Sequence, residues 1–259
     1  MTLVNAAPAL AVALFLGMLV LLEVGRRIGQ RRLEQDPSGA RTGSGAVEGA
    51  VFGLLGLMLA FTFSGAASRF DGRRHLVVEE ANNIGTAWLR IDLLPSEAQP
   101  PLRELFRRYL DSRLATYGNQ HPDVEMAMAE YGRSTKLQGE IWALAVAACR
   151  DSPTPQAALL LLPALNQMID ITTTRLMATR THPPGIIFVM LAALALAGAL
   201  LAGFAMAEGK ERSWVHNFAF AAILAATVWI TIDLEYPRLG LIRVDAADAV
   251  LEDLRRSMG

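Results

Sequence analysis

The sequence is poor in the residues and motifs that catalysis and covalent cross-linking require. Cys149 is the one cysteine among 259 residues, so an internal disulfide cannot form. The chain lacks the Gly-Lys-Ser/Thr phosphate loop, the His-Glu-x-x-His zinc motif and the Gly-x-Ser-x-Gly nucleophile turn. Its four histidines are widely scattered. We therefore predict that the chain is not an enzyme and that it holds no metal and no cofactor.

An excess of charge of one sign is lacking as well. The formal net charge is −1, which argues against a nucleic acid as partner. Apolar residues, in contrast, make up 53% of the chain, and the mean hydropathy is +0.32. Soluble domains contain about 45–50% apolar residues even when Gly is counted. Because the excess is concentrated in a few segments, the composition indicates an integral membrane protein with the lipid bilayer as its partner.

Four segments are long and apolar enough to cross a bilayer as helices, which takes about 20 mostly apolar residues. They show no alternation of polar and apolar residues, so a β-barrel is excluded. Buried helices of a soluble core are the alternative, but closely spaced pairs at the two ends of the chain favour spans. Basic residues are equally numerous on the two sides, so the positive-inside rule gives no orientation. The predicted spans are Ala6–Glu23, Ala46–Ala67, Ile186–Ala207 and Val215–Ile232.

The second span is predicted to continue into a soluble helical insert. Apolar residues from Val77 to Ile91 recur at helical spacing, and no proline separates them from the span. We therefore predict one helix from about Ala46 to Leu94, about 70 Å long, which Pro95 ends. Further helices are predicted from about Pro101 to Tyr117, from near Pro122 towards Cys149, and from Pro155 onwards.

The predicted fold is all-α, with four transmembrane helices, of which the long second one continues into a soluble helical bundle. Glu79 and Glu80 of the long helix are predicted to lie on a solvated face. The predicted organisation is transmembrane helices 1 and 2 in residues 1–67, the insert in 68–182, transmembrane helices 3 and 4 in 183–234, and an amphipathic C-terminal tail in 235–259.

Small and apolar residues recur every four positions along the second span, so they lie on nearly one face of it. Two interpretations are open. Small residues spaced by four let helices pack closely in lipid, and periodicity alone favours this role. The face is alternatively the wall of a pore, in which rings of apolar side chains gate by dewetting. The stripe consists of Gly45, Gly49, Gly53, Leu57, Phe61 and Gly65, and Leu57 and Phe61 would narrow the pore.

Charged residues at the ends of the spans form a second group. Arg69, Arg73 and Arg74 follow the second span and could draw anions towards a pore mouth. Alternatively, Arg69 pairs with Asp233 or Glu235 beyond the fourth span, because charges at span ends commonly pair or anchor the helix.

Two segments resemble a known family. In residues 54–74, LLGLMLAFTFSGAASRFDGRR, Phe61 is followed eight residues later by an Arg-aromatic pair, Arg69-Phe70, and then by further arginines. This pattern resembles the second transmembrane helix of bestrophins. The continuation VVEEANNIG and the tail DLEYPRLGLIRVD in residues 233–245 are similar to bestrophin-like membrane proteins of bacteria.

The resemblance implies a pentameric channel for small anions in the inner membrane, with four spans per subunit and the helical insert in the cytosol. It places three residues of the second span, Gly53, Leu57 and Phe61, at the positions of the pore neck. Gly53 has no side chain to narrow the pore, so the pore would be wide at its position. The alternative function is a non-conducting membrane scaffold or sensor whose insert binds a partner protein.

Overall fold

The computed structural model describes residues 3–35, 44–117, 124–151, 155–208 and 214–259. Over these residues the chain forms helices and no strand, which confirms the predicted all-α class. Two single turns of 3-10 helix, Ile91–Leu93 and Met206–Glu208, follow longer helices. The α-helices are α1 (Leu3–Gln35), α2 (Ser44–Arg90), α3 (Gln99–Tyr117), α4 (Val124–Arg150), α5 (Gln156–Arg180), α6 (Gly185–Ala205), α7 (Trp214–Glu235) and α8 (Asp245–Ser257).

The predicted long helix is confirmed. Helix α2 runs for 47 residues without a break at Gly65 or Gly72. Its last turn tightens into the 3-10 turn, after which Leu94 takes an extended conformation. The residue before a proline is pushed out of the helical region, so Pro95 explains this end.

The insert helices begin close to the predicted residues. Helix α3 starts at Gln99, two residues before the predicted Pro101, so that Pro100 and Pro101 lie in its first turn. Proline is tolerated there because the first amides of a helix have no partner within it. The predicted start of the next helix near Pro122 lies outside the described residues.

The chain divides into two compact units. The first unit comprises Met1–Arg69 and His182–Ile242, and the second comprises Phe70–Thr181 and Arg243–Gly259. Among the described residues, four helical stretches are long and apolar enough to cross a membrane: Ala6–Gln35, Gly45–Leu93, Gln156–Ala205 and Trp214–Glu235.

In the first unit, α1 packs against α6 and α7. Where α1 and α6 cross, glycines of each helix lie directly against the backbone of the other helix. A Cβ on Gly25 would overlap the carbonyl oxygen of Leu200, and a Cβ on Gly203 would overlap that of Leu22. Small residues let helix backbones approach closely in lipid, where van der Waals packing holds helices together.

In the second unit, α3, α4 and α5 pack with the latter part of α2 around a common apolar core. Leu251 of α8 and Met258, the residue that follows this helix, cover part of the core, and both are buried. Arg255 of α8 donates to Asp111 of α3 at 2.6 Å, and Arg107 donates to the carbonyl oxygen of Met258 at 3.0 Å. The C-terminal helix is therefore part of the second unit's fold.

Replacing Gly203 with alanine tests the glycine crossing. We expect Gly203→Ala to lower the free energy of unfolding by about 1–3 kcal/mol, because the new methyl group meets backbone that cannot rotate away. Thermal unfolding in detergent, followed by circular dichroism, measures this. Gly56→Ala in α2 is the control, because its Cβ would meet no atom within 4 Å. Equal unfolding temperatures for both variants would contradict the close crossing.

Candidate functional site along the second helix

The two apolar residues of α2 that are predicted to form a pore neck, Leu57 and Phe61, lie on a face that no other described part of the chain covers. Leu57 is 52% exposed and Phe61 is 69% exposed. Gly53, one turn before Leu57, would have no atom within 4 Å of an added Cβ. Within a single chain, this face is therefore open to lipid, to a neighbouring chain or to a conduit.

The predicted packing glycines of α2 do not pack against the other helices that the structure describes in the same chain. An added Cβ on Gly45 or Gly49 would meet nothing within 4 Å, and the nearest atom to one on Gly65 would belong to the side chain of Arg69, at 3.2 Å. A packing role for them therefore stays a prediction about contact with another chain. Gly25 and Gly203, which do pack, were not predicted, although the spacing of Gly25 and Gly29 by four was a signal for Gly25.

Arg69 forms an ion pair with Glu235 at the end of α7. Its Nε lies 2.9 Å and 3.1 Å from the two carboxylate oxygens, and its Nη2 lies 2.5 Å from one of them. Glu235 is buried. Fork-like contacts of this kind are the strong form of the arginine–carboxylate pair. The charge of Arg69 is therefore balanced within the chain. This agrees with the prediction that Arg69 pairs with an acidic residue beyond the fourth span.

The other two predicted mouth arginines differ in exposure. Arg73 is buried and donates from Nε to the carbonyl oxygen of Ala178 and from Nη2 to that of Thr181, each at 3.0 Å. A cation there satisfies carbonyls at the C-terminal end of α5. Arg74 is exposed and lies 3.5 Å from the carboxylate of Asp71. Arg74 is therefore the most solvent-accessible of the three guanidinium groups.

Asp233, the second predicted pairing residue, holds a turn of the backbone. Its carboxylate accepts hydrogen bonds from the backbone N–H groups of Leu241 at 3.0 Å and Ile242 at 2.7 Å. The approach is so close that a Cβ on Gly240 would overlap the Asp233 carboxylate. Of the two acidic residues, Glu235 pairs with arginine and Asp233 fixes the segment that follows α7.

The prediction that Glu80 is solvated was wrong, because the side chain is fully buried in the second unit. Its carboxylate accepts from Arg113 Nε at 2.5 Å and from Nη2 at 3.3 Å, and it also pairs with Arg175. Glu80 lies on the same helical face as Val77 and Ile84, and this register was the signal that sequence reasoning missed. Glu79, in contrast, is exposed.

The electrostatics of this buried cluster favour the charged carboxylate. Burial by itself raises the pKa of Glu80, but the charges of Arg175 and Arg113 and their hydrogen bonds bring the pKa below its usual range. Burial also raises the pKa of Tyr109, whose hydroxyl accepts a hydrogen bond from Gln138 at 3.2 Å. The arrangement is a charge network inside a helical core, and no group of three metal-ligating side chains occurs among residues that the structure describes.

The four long apolar helices define a helical, multi-span membrane protein. Its fold is similar to that of a solved bacterial bestrophin homologue from Klebsiella pneumoniae that carries a tyrosine-to-alanine substitution. The TM-score is 0.64 at 14% sequence identity, and the match covers 94% of this chain and 97% of that chain.

The chain belongs to the Bestrophin-like family, because the family model of the Bestrophin-like domain matches residues 11–249. A search of curated proteins found no match. The resemblance stated from the residues, together with the expected fold, is thereby confirmed.

Replacing Glu80 with glutamine removes the counter-charge of two buried arginines. We expect Glu80→Gln to lower the free energy of unfolding by about 3–5 kcal/mol at neutral pH. Glu79→Gln, its exposed neighbour, should change it by less than about 0.5 kcal/mol. Circular dichroism of the detergent-solubilised protein during unfolding compares the two variants.

The same pair of variants has a defined pH dependence. The pKa of Glu80 is lower in the folded chain, so its contribution is fully present above the unfolded carboxyl pKa of about 4.3. It is lost as the pH falls through the folded value. The difference between wild type and Glu80→Gln should therefore be constant near neutrality and shrink in acid. A difference unaffected by acid would contradict the ion-pair account.

Proposed function

We propose that the protein is an oligomeric membrane channel for small anions, in which α2 of each copy faces a central axis. Leu57 and Phe61 form the narrowest part of the conduit. The observation that carries this proposal is their exposure on one uninterrupted helix in a member of the Bestrophin-like family. By the resemblance, the assembly is a pentamer in the inner membrane, with the helical insert in the cytosol.

The proposed neck acts by excluding water. Leu57 and Phe61 are one helical turn apart, so their side chains form successive apolar levels along α2. A ring of such side chains raises the cost of hydrating an ion and closes the path by dewetting. Gly53, one turn earlier, contributes no side chain, so the path widens at its level.

The proposed mouth depends mainly on Arg74. The charge of Arg69 is matched by Glu235, and Arg73 is occupied by carbonyl oxygens of α5. Arg74 remains the accessible arginine, although Asp71 lies 3.5 Å away and weakens its field. Attraction of anions is therefore modest and sensitive to salt, because exposed charges are screened over about 10 Å at 0.1 M ionic strength.

Ion flux through reconstituted liposomes tests the neck. We expect the wild-type protein to carry chloride and iodide faster than empty liposomes do, and Leu57→Ala and Phe61→Ala to raise this flux about tenfold or more. A barrier lower by about 1.4 kcal/mol corresponds to a tenfold faster rate, and truncation widens the apolar constriction.

Phe63→Ala is the matched control for Phe61→Ala. Phe63 is also an exposed phenylalanine of α2 (41%), but two residues along a helix turn it to nearly the opposite side. The control should conduct like the wild type. If the wild type and both neck variants stay at the level of empty liposomes, the channel proposal fails.

A non-conducting scaffold or sensor is the second candidate function. It is favoured by Gly53, which leaves one neck level without a side chain, and by the internal pairing of Arg69. In this case the second unit binds a partner protein, and the exposed face of α2 contacts lipid.

The mass of the protein in nanodiscs distinguishes the two functions. The channel proposal expects several copies around an axis, five if the resemblance holds. A stable monomer or dimer would leave no central path and would favour the scaffold. Native mass spectrometry or light scattering of the full chain measures this without any flux.

A further inference from the structure

Three connections of the chain leave or enter the first unit, and all three lie beside one helix end. The division into units falls after Arg69, before His182 and after Ile242. The first unit's residue at each boundary, Arg69, His182 or Ile242, contacts a carboxylate in the last turn of α7. We call these two carboxylates, Asp233 and Glu235, the α7 anchor.

The two carboxylates of the α7 anchor contact different segments of the first unit. Glu235 pairs with Arg69 at the end of the membrane part of α2, and one of its oxygens lies 3.7 Å from Nδ1 of His182. The His182 ring also stacks on Tyr236, with ring centres 4.5 Å apart. Asp233 accepts from the backbone amides of the segment that ends at Ile242.

We infer that the α7 anchor positions the three connections of the first unit, and that His182 makes the Glu235 contact sensitive to pH. This inference does not depend on conduction. Buried carboxylates that accept several hydrogen bonds hold their partners in fixed geometry, since an unmatched buried charge is costly. The anchor is thus a positioning device for the segments on which the proposed neck depends.

The charges facing His182 set the direction of the pH effect. Glu235 of α7 lies 3.7 Å from Nδ1 of His182, and its carboxylate also pairs with Arg69 of α2. Asp233 is committed to backbone amides, whereas Glu235 can accept a second cation. Imidazole is the side chain whose ordinary titration falls between about pH 5 and 8. At the acid end of that range protonated His182 pairs with Glu235, and the contribution of this pair to folding stability is lost as the pH rises through the titration of the imidazole.

Thermal unfolding of the full chain in detergent at about pH 5.5 and about pH 8 tests the inference. We expect His182→Gln to unfold about 2–4 °C below wild type at the acid pH, the shift for about 1 kcal/mol in a chain of this size. At the alkaline pH the two proteins should nearly coincide. The control is His75→Gln, because His75 is exposed on α2; it should follow the wild type at both values.

The unfolding temperature of His182→Gln could instead differ from that of the wild type by the same amount at both pH values. That result would contradict the inference that His182 makes the Glu235 contact sensitive to pH. Glu235→Gln provides a second variant, and it should abolish the acid-specific effect of His182→Gln in the double variant. Persistence of that effect in the double variant would show that Glu235 is not the partner. These measurements use no liposomes and are independent of ion flux. A failed flux experiment would contradict the channel proposal but would leave the inference about His182 and Glu235 untouched.

Discussion

The structure depends above all on the need of every backbone amide to find a partner where water is absent. In the apolar part of α2, the partner of each amide can only be the carbonyl group four residues earlier in the same helix. The helix therefore cannot end within this part without leaving backbone groups unpaired. Gly65 in this part removes no hydrogen bond, and a break there would leave several backbone groups without a partner. Beyond the membrane part, the buried apolar face from Val77 to Ile91 supports the helix, which ends where Pro95 forces the preceding residue into an extended conformation.

Much of the fold could be predicted because helical periodicity and span length are local properties of the sequence. The apolar spacing from Val77 to Ile91 was sufficient to extend α2 beyond the membrane part. Partnership between distant residues is not a local property, so the burial of Glu80 was missed. A charged residue is normally exposed, and only its arginine partners, 33 and 95 positions later, make its burial favourable.

The candidate site shows the same division between local and distant information. The stripe of α2 could be read from residues spaced by four, and its exposure agrees with a face left for another partner. Which glycines pack within the chain could not be read in this way, because that depends on where α1 crosses α6. Likewise, Arg69 and Arg74 have similar surroundings in sequence, yet only Arg69 lies within reach of Glu235.

The buried charge network has a consequence for how the protein is made. Glu80, Arg113 and Arg175 come from three helices, so the carboxylate cannot be neutralised fully until residue 175 has left the ribosome. Burial of Glu80 with both of its counter-charges therefore has to follow the synthesis of α5.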